Sequence, residues 1–517
     1  MRVTNKIMQS NTLYNINQNK LLQDKLNTQI TTRKKVNKPS EDPVIAIRAL
    51  RLRSNLNQVS QYYERNIPDA QQWLEVTESA IDTTVQVISG MIDECRRGAK
   101  GSLTTSDKQT ILESLKQYRE EVYATGDSDY AGRTLFTGYR TDMKLSFQSA
   151  QTQQFTITEQ MNNLSVDSIV YVNIGNLNTV NETTYNDPSI IPETEVIKTQ
   201  VNRIRLSYDN LDSAEAPKIY QTIGYTADGS PQRQPLITPT VMSKNATPDP
   251  YRVVSDPGYT DNAGNSLYDP TAAYFIPETG EIILGKDAYD QIMNLAPETE
   301  ITVEYSKSEW AAGDLNPIHY FACESDGIEY NMSYLTEFGK DTKQEISYDV
   351  GFNQTINVNT TADEIFDPGI RRTVDEIINM LDKISSIDKV ISKLETMQGD
   401  SLYNQDEVTL RLDAAKKAQA YLNDTVQKRF ERGITDFQVY LDEANEALTA
   451  VGNRSLRLEL VENRLNSQMT SFTELTSLNE DADLAEIAIR LKSANLTYEA
   501  ALSSTGKMLS TSLLNYI

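Results

Sequence analysis

LAEIAIRLKSANLTYEAALSSTGKMLSTSLLNYI, residues 484–517, is the stretch on which the fold turns. Leu484, Ala488, Leu491, Asn495, Tyr498, Leu502, Thr505, Leu509 and Ser512 fall at alternating steps of four and three. That spacing is a heptad seam, which asks for a second helix to cover it. At the other end of the chain a thinner stripe runs through Val3, Ile7, Tyr14 and Leu21, extended by Leu22, Leu26 and Ile30. Ten of the first 30 residues are Asn or Gln. A helix this polar is marginal on its own. Both termini therefore call for helical partners, as expected of a subunit that finishes folding in an assembly.

Working inward from the N-terminus, KVNKPSEDP (35–43) interrupts the helix. Pro39 disfavours helix at Lys38, and Asp42 before Pro43 reads as an N-cap followed by proline at the first helical position. A long helix should run from Pro43 towards Arg97. Its seam is Tyr63, Ile67, Ala70, Leu74, Thr77, Ile81, Thr84, Ile88, Met91 and Cys95. Pro68 should kink it or split it in two, and Gly98 and Gly101 should end it. Ser106 with Gln109 signs the start of a helix over 107–124. RTLFTGYRT (133–141) alternates like a small β-hairpin.

Working inward from the C-terminus, helices are expected over 370–397 and 404–432, the latter stopped by Gly433. A third, over 436–478, carries the seam Phe437, Leu441, Ala444, Leu448, Val451, Ser455, Leu458, Glu462, Leu465, Met469 and Phe472. Asn479-Glu-Asp-Ala-Asp breaks the run, with Asp481 or Asp483 capping the last helix. From 145 to 365 the character changes. Tyr, Thr, Val and Ile become common, with Asp-Pro, Asp-Gly and Thr-Gly turns. Strands are expected at 155–158, 168–174, 281–284, 300–305 and 344–350, with a short helix at 287–296.

The fold class is thus mainly α with a β-rich insert, an α+β multidomain chain. The N- and C-terminal helices should pair into a long antiparallel coiled coil or bundle, with the insert at the far tip. Residues 1–38 and 480–517 are assembly segments, expected to be disordered in the monomer. Residues 39–142 and 366–479 form a helical rod, and 143–365 are the outer β-rich region. Ile7, Tyr14, Leu21, Leu484, Leu491, Tyr498, Leu502 and Leu509 are the candidate assembly residues. Ile67, Leu74, Ile81, Ile88, Leu441, Leu448, Leu458 and Leu465 are the candidate rod core.

Net charge is −24, unevenly spread. Residues 1–35 hold seven Lys/Arg against one acid, whereas 151–365 hold about 32 acids against about 11 bases. The acidic middle argues against nucleic acid, and the scattered basic residues at the start read as a solvated helix face. No run of 18 apolar residues exists, so no transmembrane helix is expected. The opening MRVTNKIMQSNTLYN has no apolar core of a cleaved secretory signal.

Catalytic chemistry is sparse. The lone histidine, His319, reads as a packed or turn residue, and a dyad with Cys323 would need a pocket and an orienting third group. Cys95 continues a helical seam and reads as a buried thiol. The segment DPGYTDNAGNSLYD (256–269) lacks the ligand order of a calcium loop and reads as turns. No phosphate or dinucleotide fingerprint is present. No enzyme activity, metal or cofactor is expected.

Three blocks carry a resemblance: MRVTNKIMQSNTLYNINQNK (1–20), NKPSEDPVIAIRALRLRSNL (37–56) and ERNIPDAQQWLEVTESAI (64–81). With residues 451–517 they resemble the flagellin superfamily, and within it the hook–filament junction family, hook-associated protein 3. Asn37, Pro39, Ser40, Asp42 and Pro43 give that family's form of the first break, and the ending SLLNYI is also similar. Pro68 and CRRGAKGSL (95–103) depart from the pattern. The resemblance implies a structural, secreted subunit for flagellum-dependent motility, exported by the flagellar type III route without a cleaved signal and placed extracellularly where hook meets filament. Implied partners are further copies in a ring, the first junction protein, flagellin and a cytoplasmic export chaperone on the C-terminal helices. Alternatives are flagellin itself, a minor filament subunit, or a glycan- or host-binding insert displayed on a flagellar stalk.

Overall fold

A computed structural model describes residues 5–100, 105–174, 177, 196–261, 263–339 and 344–510. The expectations for Val3, Gly101 and Ser512 fall outside this set. The described helices are α1 (Asn5–Thr32), α2 (Pro43–Gln61), α3 (Ile67–Gly98), α4 (Thr105–Gly126), α5 (Pro250–Ser255), α6 (Lys286–Met293), α7 (Pro368–Met397), α8 (Gln405–Glu480) and α9 (Leu484–Ser510). The chain is mainly helical, with its strands concentrated in the middle, and it divides into two compact units.

The first unit comprises residues 1–71, 348–356 and 456–517. Asp42 caps α2 through its side chain, accepting from the backbone N–H groups of Val44 and Ile45 at 3.0 and 3.1 Å. Pro43 costs nothing there, because the first helical N–H has no partner anyway. The helix is neither broken nor split at Pro68. A π-turn, Tyr62–Asn66, joins α2 to α3, and the Ile67 N–H donates to the Tyr62 carbonyl five residues back. One extra residue in the turn relieves the clash that proline makes with the preceding carbonyls. A hairpin of β14 (Ser347–Gly351) and β15 (Gln354–Asn357) contributes most of its residues to this unit. Phe352 at its tip meets Tyr62 edge-on, 5.9 Å between ring centres.

The second unit comprises residues 72–347 and 357–455. A two-stranded hairpin pairs β1 (Asp129–Tyr130) with β2 (Arg133–Thr134), slightly before the predicted 133–141. The turn needs left-handed backbone at Ala131 and Gly132, which sets its place. A six-stranded antiparallel sheet has the order β13 (Ile328–Tyr330), β12 (Ala322–Ser325), β3 (Gln151–Met161), β11 (Ile301–Trp310), β6 (Lys218–Tyr225), β7 (Pro231–Ile237). A five-stranded sheet runs β4 (Val166–Asn173), β5 (Ile197–Arg205), β10 (Glu281–Leu284), β9 (Ala273–Ile276), β8 (Thr240–Val241), antiparallel except for β8 on β9. β10, the EIIL segment, is buried at every position, as a central strand covered on both faces must be. Tyr251 and Val254 of α5 pack on one face with Val201, Ile276 and Ile283.

A buried ionic network ties this five-stranded sheet to α7 and α8. Arg203 of β5 is 2% exposed and pairs with Glu281, Glu376 and Asp167, the last at 3.1 Å. Glu376 also takes Arg429 at 2.8 Å. Burial alone would raise the Glu376 carboxyl, but Arg203 and Arg429 override it and hold the group well below the usual carboxylate range.

The expected stop at Gly433 does not occur, since α8 runs unbroken from Gln405 to Glu480. A side chain there would begin 3.3 Å from the Cys95 sulfur and 3.5 Å from Ile377. The glycine is a contact point between helices, and its packing outweighs its low helix propensity of about 1 kcal/mol. Gly98 is similar: a Cβ would meet the Phe430 ring at 2.6 Å.

Candidate assembly interface

The terminal helices α1 and α9 pack against each other. On α1 the covered stripe is Thr12, Ile16, Asn19, Gln23, Leu26 and Ile30, stepping four and three, with only Ile16 and Leu26 fully buried. On α9 it is Ile487, Leu491, Ala494, Tyr498, Ala501 and Thr505, at the same spacing. The pair is antiparallel, since Lys34 meets Asp481 while Gln23 meets Ala494. Leu26, Ile487 and Ala494 form the cluster, flanked by Ile30, Ala482 and Leu491. Gln23 donates from Nε2 to the Ala494 carbonyl at 3.1 Å, so even the seam is part polar.

The stripe singled out in the sequence is only partly this one. Leu491 and Tyr498 lie on the covered face, but Leu484 and Leu502 are exposed, and the side chain of Leu509 is outside the described set. Ile7, Tyr14 and Leu21 are 52%, 64% and 63% exposed. The α9 helix carries two apolar stripes, and the one rich in alanine is turned inward, where small side chains let the helices approach. Several bulky residues on both helices, such as Tyr14, Leu21, Leu496 and Leu502, are left facing out. Among the described residues, eighteen of the twenty-eight exposed large apolar side chains belong to the first unit, among them Ile7, Leu21, Val44, Leu478, Ile489 and Leu496. That unit holds little more than a quarter of the chain, so exposed apolar side chains are concentrated in it. Among the candidate core residues, Ile67, Leu74, Ile81, Ile88, Leu458 and Leu465 are fully buried, and Leu441 and Leu448 half-buried.

The two breaks in the helical pattern meet. The Lys35 N–H donates to the Glu480 carbonyl at 2.7 Å, and the Ala482 N–H to the Arg33 carbonyl at 3.0 Å, an isolated antiparallel bridge. Side chains close around it. Arg53 of α2 donates to Glu480 through both Nε, at 2.6 Å, and Nη2. Lys34 lies 3.2 Å from Glu480 and 2.7 Å from Asp481, and Lys35 Nζ donates to the Leu478 carbonyl at 2.6 Å. The Glu480 side chain is only 5% exposed. Arg53 chiefly, with Lys34, holds its carboxyl below the usual range, and Asp481 in turn raises Lys34. Asn37 and Pro39 to Pro43 form the neighbouring turn: Glu41 N–H donates to Lys38 at 2.9 Å across Pro39 and Ser40, and Asn37 N–H to the Glu41 carboxylate at 3.1 Å. Asp483, of the two candidates, caps α9, accepting from Ala485 and Glu486 at 2.9 and 3.2 Å. Sequence reasoning missed Ile16, Ile487, Lys34, Arg53 and Glu480. The one available signal was an acidic pair in one break and a basic run in the other.

His319 Nε2 lies 3.1 Å from the Lys144 carbonyl and donates to it, and burial lowers its pKa to about 4. Burial pushes the thiols of Cys95 and Cys323 up to about 12, away from the nucleophilic thiolate. In 256–269, Asp256 and Asp261 spend their carboxylates on nearby backbone N–H groups, as turn residues do. Among the described residues no three His, Cys, Asp or Glu are grouped to hold a metal. Among the same residues no helix is long and apolar enough to cross a membrane.

The family model for the bacterial flagellin N-terminal helical region matches residues 3–141, from α1 through the β1–β2 hairpin. Residues 3–141 are similar to a flagellin N-terminal helical region. A 144-residue stretch of the chain is 28% identical to flagellar hook-associated protein 3 of Salmonella typhimurium, covering 28% of this chain and 45% of that protein. The same protein of Escherichia coli K12 is 26% identical over 144 residues, with the same shares. The match thus spans less than half the length of these curated relatives. Among solved structures, flagellar hook-associated protein 3 from Legionella pneumophila is similar at 12% identity with a TM-score of 0.28, covering 82% of this chain and 96% of its own.

Proposed function

We propose that this chain is a non-enzymatic structural subunit of the bacterial flagellum that joins hook to filament. The observation that carries the reading is the outward apolar stripe Ile7, Tyr14 and Leu21 on a terminal helix already paired through its other face. A single chain leaves that stripe in water, and neighbouring subunits of a helical array would cover it. The flagellin-type region and the hook-associated relatives supply the setting. In it the chain is exported through the flagellar channel, its C-terminal helices are held by a cytoplasmic chaperone beforehand, and it sits outside the cell between the first junction protein and flagellin. Marginal terminal helices suit such passage, since they fold when partners arrive.

A strain lacking the gene tests the proposal. Hooks should form normally while flagellin is released unpolymerised, and the cells should not swim. Normal filaments in that strain, or long filaments formed by the purified chain alone, would overturn it.

A further inference from the structure

The two helix breaks are far apart in the chain, yet each is incomplete without the other. Residues 33–35 supply one edge of the bridge and 480–482 the other. Glu480 bonds across it through both its backbone and its side chain. Its carbonyl accepts from Lys35, and its carboxylate accepts from Arg53 and Lys34. The charged groups facing it are Arg53 from α2, Lys34 from the first break and Asp481 beside it, with Lys35 next along. Asn479 adds a bond from Nδ2 to the Ile45 carbonyl at 3.2 Å. The α1–α9 apolar cluster reaches the joint only at its edge, through Ile30 and Ala482.

We propose that Glu480 is an electrostatic clasp that fuses the two breaks into one joint and sets how the α1–α9 pair leaves α2 and α8. Without it the pair remains, held by Leu26, Ile487 and Ala494, but its anchorage loosens. The partly exposed cations make the clasp salt-sensitive, so subunits reach assembly with the terminal pair aimed but still able to adjust. The assembly consequence rests on the proposed function, while the joint itself does not.

Site-resolved hydrogen exchange on the full-length purified chain tests the joint. The reporters are the amides of Lys35 and Ala482, which close the bridge, and those of Leu26 and Leu491, which report the pair. In Glu480→Gln, exchange at Lys35 and Ala482 should rise about tenfold, with Leu26 and Leu491 changed little. The swap Arg53→Glu with Glu480→Arg should restore protection at least in part. Unchanged exchange at Lys35 and Ala482 in Glu480→Gln overturns the proposal, as does equal loss at all four amides, which would mean that Glu480 merely supports the pair. Because no flagellar readout enters, this result is independent of the strain phenotype that tests the function.

Discussion

Glu376 shows how one residue can join two kinds of structure. It lies on α7 and meets Arg203 from a strand and Arg429 from α8. Removing its charge leaves buried cations short of a partner, so Glu376→Gln should cost about 3 kcal/mol in equilibrium unfolding at neutral pH. Its carboxyl is depressed in the folded state. That stability is therefore present above the ordinary carboxylate range and lost progressively as pH falls from there to the depressed value, below which wild type and variant should converge. His319 has the opposite charge type, and its folded value is lowered from 6.5 to about 4. Below pH 6.5 the unfolded chain takes up a proton that the folded chain refuses. Stability should drop between those limits by up to about 3 kcal/mol, and His319→Gln should flatten that part of a pH–stability curve measured by denaturant unfolding. His319 was legible as a packed residue, because a lone histidine among aromatics has no partner for chemistry. The Arg203 network was not legible, since its members are scattered over 167–429 and no local spacing marks them.

Periodicity fixed the helices well at the level of single elements, because each seam is a property of contiguous residues. It misjudged glycine. Gly433 reads as a stop by propensity, but inside α8 it is the point where Cys95 and Ile377 come close. Gly98 makes the same kind of contact more tightly. Gly98→Ala should destabilise the chain by about 1–3 kcal/mol in thermal unfolding, because Phe430 is fully buried and has nowhere to turn. The terminal pair offers a second test at this scale. Leu26→Asp places a charge in its small apolar cluster, so limited proteolysis should cut α1 and α9 sooner while leaving residues 72–347 as resistant as before. Unaltered cutting of the termini would refute the seam assigned here.

For the whole molecule, apolar exposure is the quantity that links fold to role. Ile7→Asp with Leu21→Asp changes two exposed positions, so the melting temperature of the isolated chain should hold, with a stability change within about 0.5 kcal/mol. In cells the same double variant should fail to support filament growth. A lowered melting temperature would mean that the stripe serves the chain itself rather than its neighbours.

The sequence by itself determined where helix gives way to strand, where the two breaks fall, that Asp42 caps its helix and that Asp481 or Asp483 caps the last one, and that both termini are heptad-patterned. Capping and periodicity act within a few residues, so the chain writes them locally. Only the tertiary structure decided which of the two stripes on α9 turns inward, why Gly433 is glycine, and that Glu480 answers Arg53 and Lys34 more than 400 residues away. Those choices depend on what stands opposite, which is set by long-range packing and by the desolvation of paired charges.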